Sequence, residues 1–470
     1  MLALFLVSLP LCNPWVHGDG VGYYSYARSL LIERSLNFEK DWAHGNESFE
    51  MSRVDANGTV LANQYSKTGR IINIWAIGPA ILWLPFLAAT HIGVLLCDKL
   101  GAHVAADGFS SPYLVTMALA TALYGFLGLW ISFRLAKKYF QDRWAFLATL
   151  GIWWGSSLPV YMYFNPSWSH AHSVFVVALF LWYWHRTRRA RRLAQWIVLG
   201  LISGLMVDVY YPNVVLLFVP MFEALDGYWT EWKRPLAGSS RGRKLFAHVA
   251  YFLAFLAALS PTLISRAIIF GSPFETGYPS VDRWNWGHPA LWNVLWSSDH
   301  GIFSWTPILL LAIIGILYFH RVDAQFSNYL TVSTLAFYLL IALHLNWDGL
   351  SSFGNRFFVS LTPIFILGLT ALFDFMARQW KERRAAALAT ISTAVLVIWN
   401  LGLIYQWGTH LIPARGPISF REAAYNQFAV VPEQAGRSLK SYFTRRRRMM
   451  NRIEQEDVKQ LKEKEAEGDR

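Results

Sequence analysis

Residues 113–138 read YLVTMALATALYGFLGLWISFRLAKK, an apolar run closed by Lys137-Lys138. About 20 such residues are what a helix needs to cross a bilayer core. Lysines just past the run mark the cytoplasmic end, because short Lys- and Arg-rich connections stay on that side. The pattern repeats downstream, with spans expected near 144–163, 169–185, 195–209, 212–225, 246–265, 303–320, 327–345, 357–377 and 386–406. Basic clusters at Arg186 to Arg192, Lys233 to Lys244 and Lys381 to Arg384 then fall on one side. Counting an apolar start, Met1 to Leu11, gives an all-α polytopic membrane protein of about eleven transmembrane helices.

Composition agrees. The chain is 54% hydrophobic and 15% charged, where a soluble protein carries nearer a quarter charged residues. The net charge of +12 does not indicate nucleic acid, since it resides in those short clusters between apolar runs. Two cysteines, Cys12 and Cys97, lie in or beside apolar stretches, which argues against a disulfide framework or a thiolate metal site.

The polar remainder is unevenly placed. A long loop, about 17–70, follows the first helix, and no basic n-region precedes that helix as it would in a signal peptide. The apolar segment about 71–97 contains Pro79 and Pro85 and lies between two stretches assigned to the non-cytoplasmic face. It reads as a re-entrant or interfacial helix, with a spanning helix as the competitor. The runs across 195–225 are short, which predicts a broken pair turning at Tyr210-Tyr211-Pro212. Residues 1–411 thus form the membrane domain and 412–470 a polar tail, basic and then mixed in charge. Counting helices puts the tail outside, whereas Arg445 to Arg448 argues for the cytoplasm.

Four polar constellations fall on the non-cytoplasmic face. The first is His17-Gly18-Asp19-Gly20, followed by Tyr23 in a short interfacial helix. Asp19 sits at membrane depth between glycines that admit a substrate, where a carboxylate can take a proton from a hydroxyl; it could equally cap the next helix. The second is Tyr65, Lys67 and Arg70, cations suited to a lipid phosphate or simply snorkelling to headgroups. The third is His170 and His172, whose i, i+2 spacing suits hydrogen bonding better than shared metal ligation, or ordinary packing. The fourth joins Asp348 to Arg356, whose planar guanidinium can grip a phosphate with two parallel hydrogen bonds. Asp208 and the segment Ser297 to Trp305 are weaker members of the set.

At these residues the chain resembles the GT-C glycosyltransferases, polytopic enzymes that use polyprenyl-phosphate sugars, and within them the protein O-mannosyltransferase and lipid A aminoarabinose transferase group. The resemblance covers roughly residues 1–380. It is carried by Gly18-Asp19-Gly20 and Tyr23 to Leu31, by Lys67 before Trp75 to Trp83, and by the helix ending Lys137-Lys138-Tyr139-Phe140. It implies inverting transfer of a sugar from a polyprenyl-phosphate donor to a protein, lipid or glycan hydroxyl on the non-cytoplasmic side, in a bacterial inner membrane. It implies Asp19 as catalytic base. Lys67, Arg70 and Arg356 would hold the donor phosphate. Tyr23, Tyr65, His170, His172, Asp208 and Asp348 would line the pocket. Many relatives place a second acid where this chain has His170 and His172, so the role of those histidines and any dependence on a divalent metal stay open. No large soluble C-terminal domain is expected, which favours transfer of a single sugar. A flippase or transporter for a lipid-linked substrate is the alternative. The absence of a visible internal repeat and the long first loop weigh against it.

Overall fold

The computed structural model describes residues 1–188, 191–233 and 241–468. Among these residues the regular backbone is helical, apart from isolated β-bridges Val54–Val60 and Tyr65–Ile71. Helices α1 (Leu2–Ser8) and α2 (Asp19–Arg28) precede α3 (Gly78–Lys99) and α4 (Ser111–Ala136). Next come α5 (Asp142–Gly155), α6 (His170–Thr187), α7 (Leu193–Val209), α8 (Phe218–Lys233) and α9 (Arg241–Phe270). Then α10 (Ile308–Phe319), α11 (Ala324–Leu343), α12 (Thr362–Gln379) and α13 (Glu382–Gly408) complete the bundle, and α14 (Val431–Thr444) and α15 (Arg446–Gly468) form the tail.

By length and composition α3, α4, α9, α11, α12 and α13 can each cross a membrane; α7, α10 and the stretch Leu2–Leu11 are shorter and apolar. On α13, Ile391, Val395 and Ile398 form an exposed stripe at i, i+4 and i+7, and Phe252, Leu253 and Ile264 stand out from α9. Apolar surface of this extent suits lipid rather than water. Within the bundle, small residues let helices approach. A Cβ on Gly315 of α10 would collide with the backbone of Gly368, and one on Gly368 with the backbone of Ala312. Gly200 and Gly204 of α7 lie in the same way against the Tyr251 and Phe255 carbonyls of α9.

The break expected at Tyr210-Tyr211-Pro212 is present: α7 stops at Val209 and a 3-10 turn, Tyr211–Leu217, leads into α8. The span expected near 144–163 is not one helix. It ends at Gly155 and resumes as a wide turn over Val160–Phe164. The helix expected over 71–97 starts at Gly78 and runs unbroken through Pro85. Its hydrogen bonds to α4 include Trp83–Thr121, Thr90–Thr116 and His91–Tyr113, on the N-terminal half of that helix, and Tyr124 to the Leu82 carbonyl near its middle. Both flanks of α3 touch α2: the Asn73 amide donates to the Gly22 carbonyl, and the Tyr24 hydroxyl donates to that of Gly108.

The two ends of α6 define two faces. Near Thr187, Tyr139 bonds His185 and Asp323, and Arg188 pairs with Asp323. Parts of the basic clusters there, residues 189–190 and 234–240, lie outside the described residues. Near His170 gather the first loop and, from the tail, α14 and α15. Arg446 does not mark a separate basic face. It donates to the Cys12 and Pro10 carbonyls at 2.6 and 2.7 Å, and Tyr442 to that of Leu11 at 2.7 Å, meeting acceptors left over where the first helix ends.

Substituting Gly368→Leu is expected to lower the melting temperature of the detergent-solubilised protein, by overpacking worth about 1–3 kcal/mol or more. Gly227→Ala, where nothing lies within 4 Å of the added carbon, should leave it unchanged or slightly raised.

Candidate active site

The chain leaves the first helix as an irregular segment and turns at Gly18, whose φ of 53° is one that side-chain-bearing residues avoid. The Gly18 amide donates to Asn46 Oδ1 at 2.9 Å, which fixes the turn. Asp19 then opens α2, but its carboxylate makes no capping bond there. It pairs instead with Arg356, Nη1 to Oδ2 at 2.7 Å, from the turn that leads into α12. The capping reading of Asp19 is thereby set aside.

The Arg356 guanidinium lies 4.4 Å above the Trp168 ring. Trp168 is held by its indole N–H donating to the His17 carbonyl at 2.9 Å. Ser167 and Trp168 press against Gly20, where any side chain would displace them. Arg356 is 11% exposed and Asp19 31%, so the arginine forms the floor and the carboxylate the open side. Arg356 Nε is buried without a hydrogen-bond partner, a donor still available to a ligand.

Aromatic residues wall the pair. Tyr23, Tyr161, Tyr210 and Tyr278 all lie within electrostatic reach of Asp19. His170 packs against the rings of Tyr161 and Tyr210, at 4.6 and 5.5 Å, and also feels Arg356. His172 points elsewhere, between Trp83 of α3 and Tyr124 of α4.

A second bank comes from later loops. His300 Nδ1 donates to the Asp348 carbonyl at 3.0 Å, and burial lowers its pKa to about 4. Arg415, within reach of Asp19, Arg356 and Asp348, is a cation that sequence reasoning missed; it lies in the stretch assigned to the tail. Its only signal was being a lone arginine between Pro413 and Pro417.

The remaining expectations fare differently. Lys67 reaches the loop after α9 and pairs with Glu275 at 3.0 Å, both largely in the open, and Arg70 is exposed. Neither contacts Asp19 or Arg356. Tyr65 donates to Glu39 at 3.1 Å, away from the recess. Asp208 is fully buried beside Gly78 and Thr262. The structure therefore joins Asp19, Tyr23, His170 and Arg356, with Asp348 close by, and leaves Lys67, Arg70, Tyr65, His172 and Asp208 apart.

Beside the recess lies a predominantly apolar cavity of about 630 Å³, bounded by α13, α14 and α15. Its polar rim includes His17, Asn165 and Ser351, each a few residues from Asp19, Trp168 or Arg356.

The chain resembles solved proteins in fold. Its fold is similar to ArnT from Cupriavidus metallidurans in the apo state (13% identity, TM-score 0.44, covering 91% of this chain and 72% of that one). The same protein bound to undecaprenyl phosphate matches with a TM-score of 0.45 at 13% identity, covering 86% of this chain and 70% of that one. The apo oligosaccharyltransferase of Archaeoglobus fulgidus gives 0.48 at 15% identity, covering 91% of this chain and 53% of that one. This chain thus spans about half of the archaeal enzyme's length. No family model and no curated protein matches the sequence.

The His300 environment sets a pH dependence. A histidine near 6.5 when unfolded and about 4 when folded adds stability that is fully present above pH 6.5 and lost as pH falls towards 4. Melting temperatures of wild type should fall between pH 7 and 4.5 more steeply than those of His300→Gln.

Proposed function

We propose that the protein transfers a sugar from a polyprenyl-phosphate-linked donor to an acceptor hydroxyl, with inversion, at the face that carries the first loop. The observation that carries this reading is the Asp19–Arg356 pair, with a donor to spare, in an aromatic recess next to an apolar cavity. A lone ion pair would be architecture. An arginine stacked on Trp168 with an unsatisfied Nε offers two-point recognition of a phosphate, and the cavity offers room for the first units of an isoprenoid chain.

In this mechanism the donor phosphate competes with Asp19 for Arg356. The carboxylate, displaced from its partner, then faces the acceptor. The acceptor oxygen attacks the anomeric carbon from the side opposite the phosphate, and its proton passes to Asp19. The bond between the anomeric carbon and the phosphate oxygen breaks, and its electron pair leaves with the polyprenyl phosphate. Arg356, supported by Arg415, stabilises the charge that grows on that oxygen; such preorganised donors act most strongly where water is excluded. Tyr23, Tyr161 and His170 supply ring faces and donors around the sugar. The proposed setting is a bacterial inner membrane with the site facing the periplasm.

The test is release of free polyprenyl phosphate from a panel of polyprenyl-phosphate sugars by the protein in lipid nanodiscs, with membrane extract as acceptor source. Asp19→Asn should cut turnover by about 10²–10⁴. Arg356→Lys, which keeps the charge but loses the planar fork, should also raise the KM for donor. Unchanged turnover in Asp19→Asn would remove the base assignment. Tight donor binding with no turnover would shift the reading to a transporter.

A further inference from the structure

We propose that His17, Glu454 and Asp457 form a binding site for a zinc-like divalent cation, which latches the C-terminal helix α15 onto the first loop beside the candidate active site. Glu454 and Asp457 are i and i+3 on α15, so both carboxylates project from one face of the helix. They meet His17, two residues before Asp19. His17 Nε2 stands 3.3 Å from Glu454 Oε2 and 3.5 Å from Asp457 Oδ2. All three ligand atoms lie within 4.8 Å of one another.

The two spacings from His17 match the edges of a coordination shell. Zinc bonds imidazole nitrogen and carboxylate oxygen at about 2.0–2.2 Å, and the edges of a tetrahedron of that size are about 3.3–3.6 Å. Zinc accepts both imidazole nitrogen and carboxylate oxygen, and three protein ligands leave a fourth position open. Here the open side has a destination, because His17 and Asp457 both line the 630 Å³ cavity.

The surrounding bonds aim the ligands. Asp457 Oδ1 is taken by His410 Nε2 at 2.8 Å, leaving Oδ2 turned to His17. Glu454 Oε1 accepts from the Ser48 amide at 2.6 Å, and the Asn46 side-chain amide straddles Oε1 and Oε2 at 2.9 and 3.1 Å, which fixes the carboxylate with Oε2 towards His17. Asn46 in turn holds the Gly18 amide. Ligating groups whose other atoms are fixed in this way are characteristic of metal sites. The arrangement could also stand without metal, as a protonated His17 bridging two carboxylates, which raise its pKa to about 9 against the lowering effect of burial.

Metal content separates the two. Full-length protein stripped with a chelator, dialysed, and titrated with Zn²⁺ against a chromophoric competitor should bind one equivalent per chain. Glu454→Gln and Asp457→Asn should each weaken that site by at least about 100-fold. A wild-type titration guards against variants that fail to fold: micromolar Zn²⁺ should raise the melting temperature of the stripped protein, and the same concentration of Mg²⁺ should not. No zinc retained beyond the competitor, with a melting temperature indifferent to Zn²⁺, would overturn the proposal in favour of the protonated bridge. So would a zinc equivalent that both variants keep. Neither readout involves a sugar donor, so the result stands apart from the transferase reading.

Discussion

A helical bundle with an apolar exterior leaves its irregular connections few polar partners except one another. An unpaired backbone group in a low-dielectric setting costs several kcal/mol. The loops at the His170 end of this bundle answer that constraint with long-range links. Arg266 of α9, 1% exposed, donates to the carbonyls of Asn73, Ile74 and Trp75 and bonds the Tyr211 hydroxyl. Arg28 grips Asp41 through both oxygens, at 2.6 and 2.7 Å. These contacts hold the first loop down onto the helices.

Against this background Arg356 is distinctive. Arg266 and Arg28 spend most of their donors on protein acceptors at the end of one loop or another. Arg356 spends one on a partly exposed carboxylate, and its Nε, like that of Arg266, has no partner. Stacking on Trp168 fixes its plane without using its hydrogens. In the proposed mechanism such an arginine stays in place and exchanges Asp19 for an incoming anion. The exchange would link donor binding to freeing the carboxylate.

The tail changes how the site is enclosed. Helices α14 and α15 close one wall of the apolar cavity and bring Asp457 and Glu454 to His17. The carboxylates of a charged, otherwise helix-prone segment are thereby placed within a few residues of Asp19. Closure of the cavity and the setting of the first loop become parts of one assembly.

The sequence by itself determined the all-helical class and the place of most of the long helices, because apolar runs of membrane length report their own environment locally, though the run at 144–163 divides at Gly155. It also gave away the break at Tyr210 through the short runs and Pro212, and it flagged Asp19, His170 and Arg356, since ionisable residues at the ends of apolar helices are costly without a role. What only the tertiary structure decided was partnership. Lys67 and Arg70 looked as suited to a phosphate as Arg356, but Lys67 pairs with Glu275 and Arg70 stays exposed. Arg415 had little local signature and the His17, Glu454 and Asp457 cluster none, because the members of that cluster come together only when the tail folds back across more than 400 residues of intervening chain. Hydropathy is summed along the chain, whereas a site is a meeting of residues in space, and only the packed loops state which of them meet.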